Sequence, residues 1–83
     1  MKPFKGKIYH WIKQPFDKEK VAAYYEEDAG LGYTIFGYTT ETPKLGTWYR
    51  TSWVVKHDEL LGMIETRNSK YQLVGPEVPK NDG

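Results

Sequence analysis

The stretch Gly46–Val74, GTWYRTSWVVKHDELLGMIETRNSKYQLV, decides the fold. It holds three segments rich in β-branched and aromatic residues, and turn-forming residues separate them at 57–61 and at Asn68-Ser69. Such segments fit the pleated, half-buried surface of a β-sheet. The stretch therefore predicts a meander of three antiparallel strands, the first of them over 47–56.

Alternation along these strands predicts which side chains point into the core. The more apolar face of the first strand carries Tyr49, Thr51, Trp53 and Val55. The inward residues of the next two strands are Ile64 and Thr66, then Tyr71 and Leu73. Because the side-chain period is two, a shift of one residue would exchange the two faces.

Two further strands are predicted in the first half of the chain, over 4–12 and 31–40. The inward face of the first carries Ile8, His10 and Ile12, and its wetter face carries Lys7, Tyr9 and Trp11. Gly37 interrupts the second strand and indicates a β-bulge or a sharp bend. Pro43 argues against continuing that strand.

Between these two strands, residues 17–29 predict a short helix. Asp17 suits the N-cap position and Gly30 suits the position that follows a helix. A helix of about three turns needs packing against the sheet to persist, and acidic residues at its C-terminal end oppose its dipole. An ordered loop is the alternative.

Five short strands in this order, with a helix in the first connection, indicate a mainly β domain. We expect a five-stranded antiparallel SH3-like barrel over residues 1–75, with an OB-like barrel or an α+β meander sheet as alternatives. Closing a barrel would remove the exposed edges of an open sheet. Residues 76–83, which contain two prolines and a polar end, are expected to form a flexible tail.

Composition limits the classes of function. The 83 residues carry a net charge of +1, which is unlike the strongly basic character of a general DNA binder. The absence of cysteine excludes disulfides and thiolate zinc sites. No apolar run reaches the length of a signal-peptide core or a membrane span, so we expect a cytoplasmic protein without a membrane partner. With seven Tyr, three Trp and three Phe, some rings are expected to stay exposed for contact with a partner.

Catalytic patterns are weak in this sequence. His57-Asp58-Glu59 has the chemistry of metal ligands, but its spacing matches no known metal motif and its composition is ordinary for a turn. Neither serine lies near a base with an orienting partner, and no phosphate-binding glycine motif occurs. We therefore expect neither an enzyme nor a bound cofactor or metal.

A binding site is predicted where hydroxyl, amide, guanidinium and aromatic groups gather on one rim of the sheet. Its predicted members are Trp48, Arg50, Arg67, Asn68, Ser69 and Tyr71. These groups suit a nucleotide or an anionic protein surface. The alternative is structural: Asn68 and Ser69 cap a turn, and Thr51 pairs with Thr66 across the ladder.

A pattern in the second half of the chain resembles known proteins. The pattern Thr51-Ser52-x-Val54-Val55, followed by Ile64-Glu65-Thr66-x-Asn68-Ser69-x-Tyr71-x-Leu73, resembles the C-terminal half of small bacteriophage-encoded proteins of unassigned function. It covers about a third of the chain. The resemblance implies a viral accessory protein made in the bacterial cytoplasm that binds and inhibits a host enzyme or defence component.

Four functional hypotheses follow. The first is a non-enzymatic protein that binds a host protein, since exposed Trp, Tyr and Arg dominate binding hot spots. The second is a module that binds a nucleotide or nucleic acid. The third is a structural homodimer that buries its outer aromatic side chains, and a small hydrolase ranks last.

Overall fold

The computed structural model describes residues 2–42 and 47–79. Its elements in chain order are β1 (Phe4–Pro15), α1 (Lys18–Tyr25), β2 (Tyr33–Tyr38), β3 (Trp48–Arg50), β4 (Val54–Asp58), β5 (Met63–Thr66) and β6 (Lys70–Val74). The predicted class, mainly β with one short helix, is confirmed. The predicted loop residues Pro43 and Gly46 lie outside the described residues.

The strands form one open sheet in the order β3-β2-β1-β6-β5-β4. The long β1 pairs antiparallel with β2 and parallel with β6, and every other pair of neighbours is antiparallel. The expected five-stranded antiparallel barrel is not confirmed, because six described strands form a mixed sheet that does not close. The meander is confirmed only for β4, β5 and β6.

The predicted strand over 47–56 is wrong as a single element, because the chain leaves the sheet after Arg50. Thr51 donates its backbone N–H to the carbonyl of Ile35 at 2.9 Å, and its Oγ1 accepts from the N–H of Ile35 at 3.1 Å. A side-chain oxygen thus takes the place of a ladder carbonyl, and β3 and β4 lie at opposite edges of the sheet.

This break shifts the alternation of buried and exposed side chains by one residue. Thr51 and Trp53 are buried as predicted, but Val54 is buried where the pattern favoured Val55. Tyr49, the other predicted inward residue of this stretch, is 42% exposed.

The hydrophobic core lies on the inner face of the sheet. Its buried members are Ile8, Trp11, Ile35, Val54, Ile64, Tyr71 and Leu73. The inward positions predicted on the last two strands are confirmed, since Ile64, Thr66, Tyr71 and Leu73 are all buried.

A bulge in β1 corrects the faces predicted for the first strand. Tyr9 pairs with Tyr38 and Ile12 pairs with Phe36, so His10 and Trp11 together lie opposite Gly37. His10 takes the extra position with a φ of 51°. Trp11 is therefore buried and His10 exposed, the reverse of the simple alternation.

Gly37 marks this bulge as the sequence indicated, although the extra residue lies on β1. A Cβ atom at Gly37 would lie 2.5 Å from Cγ2 of Ile8 and 2.9 Å from the carbonyl oxygen of Tyr9. Only glycine allows the two strands to approach this closely.

Helix α1 begins as predicted and ends early. The N–H of Lys20 donates to Oδ1 of Asp17 at 3.1 Å, which confirms the N-cap. The helix ends at Tyr25, and Glu26 is left-handed with a φ of 57°. Among the described residues, no helix has the length and apolar character needed to cross a membrane.

Part of the expected tail is bound to β1. Val78 donates its N–H to the carbonyl of Trp11 at 2.9 Å, and Oε2 of Glu77 accepts from the N–H of Lys13 at 2.8 Å. Residues 80–83 lie outside the described residues.

Candidate functional site

The six predicted site residues do not share one rim. Trp48 and Arg50 lie on β3 at one edge of the sheet. Arg67, Asn68 and Ser69 lie in the turn between β5 and β6, beyond β1 and β2 in the sheet order. The structure therefore divides the predicted site into an edge part and a turn part, with Tyr71 inside the core.

Ser69 has a structural role in the β5–β6 turn. It is 6% exposed, and its carbonyl accepts from the N–H of Thr66 at 2.8 Å and from the Thr66 hydroxyl at 3.3 Å. Thr66 pairs with Val54 across the ladder, so the expected pairing with Thr51 is wrong. The turn-capping alternative thus fits Ser69, while Asn68 is exposed beside it.

Tyr71 is also built into the fold. Its ring is 7% exposed, and its hydroxyl lies 3.0 Å from the hydroxyl of Tyr49. Burial, together with this hydrogen bond, raises the pKa of Tyr71 to about 12. Tyr71 is therefore mostly enclosed by the fold, and its remaining surface lines a cavity of about 340 Å³ together with Tyr49.

Arg67 is held by the protein itself, in a group we call the Trp53 cluster (Phe16, Tyr25, Glu27, Trp53 and Arg67). The guanidinium carbon of Arg67 lies 4.6 Å from the ring centroid of Trp53. Both carboxylate oxygens of Glu27 pair with the guanidinium, at 2.9 Å to Nε and 3.2 Å to an Nη nitrogen. The ring of Tyr25 lies edge-on to Trp53 with centroids 5.4 Å apart. The binding groups of Arg67 are therefore already engaged.

Trp48 and Arg50 have the opposite surroundings, in a group we call the Trp48 cluster (Phe36, Trp48 and Arg50). The rings of Trp48 and Phe36 are stacked, with centroids 5.1 Å apart and planes 25° apart. Trp48 is nevertheless 56% exposed. Arg50 pairs with Phe36 in the strand register and is exposed, and no ion pair holds it within the described residues.

The outer face of β1, β2 and β3 extends this cluster into a broader surface. The strand register brings Tyr9 next to Tyr38 and Ile12 next to Phe36, on the same face as Trp48. These neighbours are half-buried. Lys5, Lys7 and Arg50 are exposed cations of these strands, which contain no carboxylate, whereas Lys13 pairs with the buried Ile35 in the register and with the carboxylate of Glu59. The result is an apolar surface with a cationic border.

A third group of side chains joins β1, β2 and β4. The hydroxyl of Tyr33 lies 2.6 Å from Nδ1 of His57, whose ring is edge-on to Trp11 with centroids 6.0 Å apart. Nζ of Lys13 lies 5.2 Å from the ring centroid of Tyr33 and 3.9 Å from Oε1 of Glu59. Two cavities border His57: one of about 280 Å³ is also lined by Trp11 and Lys13, and one of about 590 Å³ is also lined by Tyr33.

Burial explains the electrostatics of this third group. Loss of solvent contact lowers the pKa of His57, and the nearby Lys13 charge lowers it further. Burial also raises the pKa of Tyr33. Sequence reasoning treated His57 as a turn residue and missed Tyr33, because nothing in their spacing of 24 residues signals the contact. In residues 2–42 and 47–79, no three His, Asp or Glu side chains are placed to hold a metal ion.

No family model, curated protein or solved structure matches this chain. The resemblance to bacteriophage proteins therefore stays a prediction.

Proposed function

We propose that the protein is a small non-enzymatic binding protein that contacts a partner protein through the Trp48 cluster. The observation that carries the proposal is an exposed tryptophan stacked on Phe36 beside an exposed arginine at a sheet edge. Trp, Tyr and Arg are the residue types that supply most of the binding energy in protein interfaces.

The geometry of the cluster favours binding for two reasons. A side chain that is already ordered loses less conformational entropy when a partner covers it, and Phe36 orders the ring of Trp48. The surrounding rings of Tyr9 and Tyr38 are amphipathic, and such rings suit the centre of an interface. Arg50 adds a planar cation that can form paired hydrogen bonds with a carboxylate.

The resemblance in the second half of the chain supports a narrower form of this proposal. In this form the protein is a bacteriophage accessory protein that acts in the cytoplasm of its bacterial host. The partner is then a host protein, which the bound protein inhibits or modulates. Residues 51–73 carry the resemblance, and Trp48 and Arg50 lie just before them.

The nucleotide alternative is weaker than the protein-binding proposal. It required Trp48, Arg50, Arg67 and Tyr71 in one place, but Arg67 is paired with Glu27 and Tyr71 is buried. Only Trp48 and Arg50 are left to meet a base and a phosphate, and the net charge of +1 gives little further attraction.

The test is capture of partners from a bacterial lysate with the wild-type protein and three variants. Trp48→Ala and Arg50→Ala remove the proposed contacts. Tyr24→Ala is the matched control, because Tyr24 is 79% exposed and lies on α1, away from β3. We expect Trp48→Ala to lower the affinity for the captured protein by at least about tenfold, as hot-spot truncation does, and Tyr24→Ala to leave it unchanged.

Two outcomes, one from partner capture and one from light scattering, would contradict the proposal. One is the same specific partner retained at unchanged affinity by both Trp48→Ala and Arg50→Ala. The other is a doubled mass in light scattering that Trp48→Ala abolishes, which would assign the surface to a second copy of the chain. Circular dichroism and thermal unfolding of each variant establish that the compared proteins are folded.

A further inference from the structure

The backbone of β3 has one side bonded to the sheet and one side directed away from it. Thr39 donates its N–H to the carbonyl of Thr47, and Thr51 donates to the carbonyl of Ile35, each at 2.9 Å. Tyr49 pairs with Gly37 in the same antiparallel register. In such a pair alternate residues direct both backbone groups toward the neighbouring strand. Residues 47, 49 and 51 therefore face β2.

The backbone groups of Trp48 and Arg50 consequently point outward from the sheet. No described residue forms a backbone hydrogen bond with them across this edge. Their side chains lie on the outer face with Phe36, while Tyr49 reaches inward to Tyr71. A strand added here would find N–H and C=O partners at Trp48 and Arg50, with the Trp48 ring and the Arg50 cation beside it.

The opposite edge of the sheet is partly occupied by the chain. The carbonyl of Val54 on β4 accepts a hydrogen bond from the N–H of Leu31 at 2.8 Å. A Cβ atom at Gly30 would lie 2.3 Å from that same carbonyl oxygen, so the backbone of the loop lies directly against β4. Proteins commonly cover an edge in this way to prevent further pairing. Among the described residues, β3 has no such cover.

We propose that β3 accepts an extended, acidic segment of the partner protein as a seventh strand of the sheet. Addition of a strand to an exposed edge is a recurring mode of peptide recognition, in which backbone bonds give affinity and alternate side chains give specificity. The acidic character follows from charge, because Lys5, Lys7 and Arg50 are exposed cations of β1 and β3, and β1, β2 and β3 contain no carboxylate. A carboxylate beside Arg50 and an apolar side chain against Trp48 meet the groups that this edge presents. This inference rests on the proposed function, whose partner it describes.

The experiment uses amide hydrogen exchange measured by nuclear magnetic resonance on the full chain. The probe is a seven-residue peptide of alternating valine and glutamate, acetylated and amidated, added at millimolar concentration. Because this peptide offers both an extended backbone and carboxylates, we expect exchange at the Trp48 and Arg50 amides to slow by at least about tenfold. The Tyr49 amide, which already faces β2, is expected to keep its exchange rate.

Two control peptides test separately how much backbone hydrogen bonding and charge contribute to binding. A peptide with lysine in place of glutamate is expected to bind at least about tenfold more weakly, because like charges are placed together. A glutamate peptide that is N-methylated at alternate residues cannot donate to the edge and is expected not to protect either amide. In the Arg50→Glu variant the preference between the lysine and glutamate peptides is expected to reverse.

The results distinguish this inference from the proposed function. Unchanged exchange at Trp48 and Arg50 with the glutamate peptide would overturn strand addition, whether or not capture of a partner depends on Trp48. Protection at the His57 amide on β4, which faces away from β5, instead of at β3 would also overturn it. Strand addition at β3, with partner capture insensitive to Trp48→Ala, would instead contradict the function proposed for the Trp48 cluster.

Discussion

Two clusters of the same residue types, each with a tryptophan and an arginine, have different surroundings in this protein. In the Trp53 cluster the tryptophan is 7% exposed, and Arg67 is sandwiched between its ring and the carboxylate of Glu27. In the Trp48 cluster the tryptophan is 56% exposed, and Arg50 has no anionic partner among the described residues. The comparison shows that the fold supplies an anion to Arg67 and, among the described residues, none to Arg50.

The segment between α1 and β2 accounts for the difference. Glu26 ends the helix in a left-handed conformation, and the chain then brings Glu27 to Arg67 and Gly30 to β4. Its backbone is tied to β4 by the hydrogen bond from Leu31 to Val54. No described segment does the same for β3. The fold therefore covers one of its two clusters and exposes the other.

The largest loss of stability is expected from Gly30→Ala, which disturbs the segment between α1 and β2 that lies against β4. Gly30 has a φ of 65°, and a Cβ atom there would lie 2.3 Å from the Val54 carbonyl oxygen and 3.1 Å from Trp53. The left-handed conformation alone costs roughly 1–2 kcal/mol for alanine, and overpacking adds about 1–3 kcal/mol. The matched control is Gly75→Ala, since Gly75 has a φ of 75° but open space around it.

Chemical denaturation of the two glycine variants measures this difference. Gly75→Ala is expected to lose only the conformational part of the free energy of unfolding. Equal losses for the two variants would show that the loop does not press on β4, and the contrast between covered and exposed clusters would lose its structural cause.

A smaller difference in stability is expected between the alanine variants of the two arginines. Arg67→Ala removes a stacked cation, worth roughly 0.5–1 kcal/mol at exposed sites, and a surface ion pair worth about 0–1 kcal/mol. We therefore expect a loss of about 0.5–2 kcal/mol in the free energy of unfolding. Arg50→Ala is expected to change it by no more than about 0.5 kcal/mol, as at ordinary surface positions. Similar losses for both would place Arg50 in an internal contact and contradict the comparison.

The smallest expected effect is a pH dependence of stability. It arises at the Tyr33–His57 contact, which belongs to neither cluster. Burial lowers the pKa of His57 below 6.5 in the folded protein, so the unfolded chain binds the proton more readily. Stability is therefore expected to fall as pH decreases below 6.5, with no contribution from this group above that value. His57→Gln is expected to weaken the dependence between pH 7 and pH 5. The unfolding free energy of wild type and variant across this range checks it, and parallel curves would contradict it.

Much of the fold follows from local patterns in the sequence. Alternation predicted the buried residues Ile64 and Leu73, and a capping residue predicted the start of α1 at Asp17. The parallel pairing of β1 with β6 was not predictable in this way, because it joins residues more than 60 positions apart. The bulge at His10 and the break at Thr51 each shift the alternation of buried and exposed side chains by one residue. The alternating sequence pattern does not show where such a shift occurs.

The candidate site was predictable only in part, for a related reason. Residue type alone predicted that Trp48, Arg50 and Arg67 belong to one binding site. Arg67 is engaged because the fold brings Glu27, 40 residues earlier in the chain, to its guanidinium. No spacing in the sequence signals this ion pair.

The most direct test of the account is the affinity of the captured partner for Trp48→Ala, measured by titration beside Arg67→Ala. We predict that Trp48→Ala lowers the affinity by at least about tenfold while the protein stays folded, and that Arg67→Ala lowers stability and leaves the affinity of the folded protein unchanged. An unchanged affinity for Trp48→Ala, or a loss of affinity confined to Arg67→Ala, would contradict it.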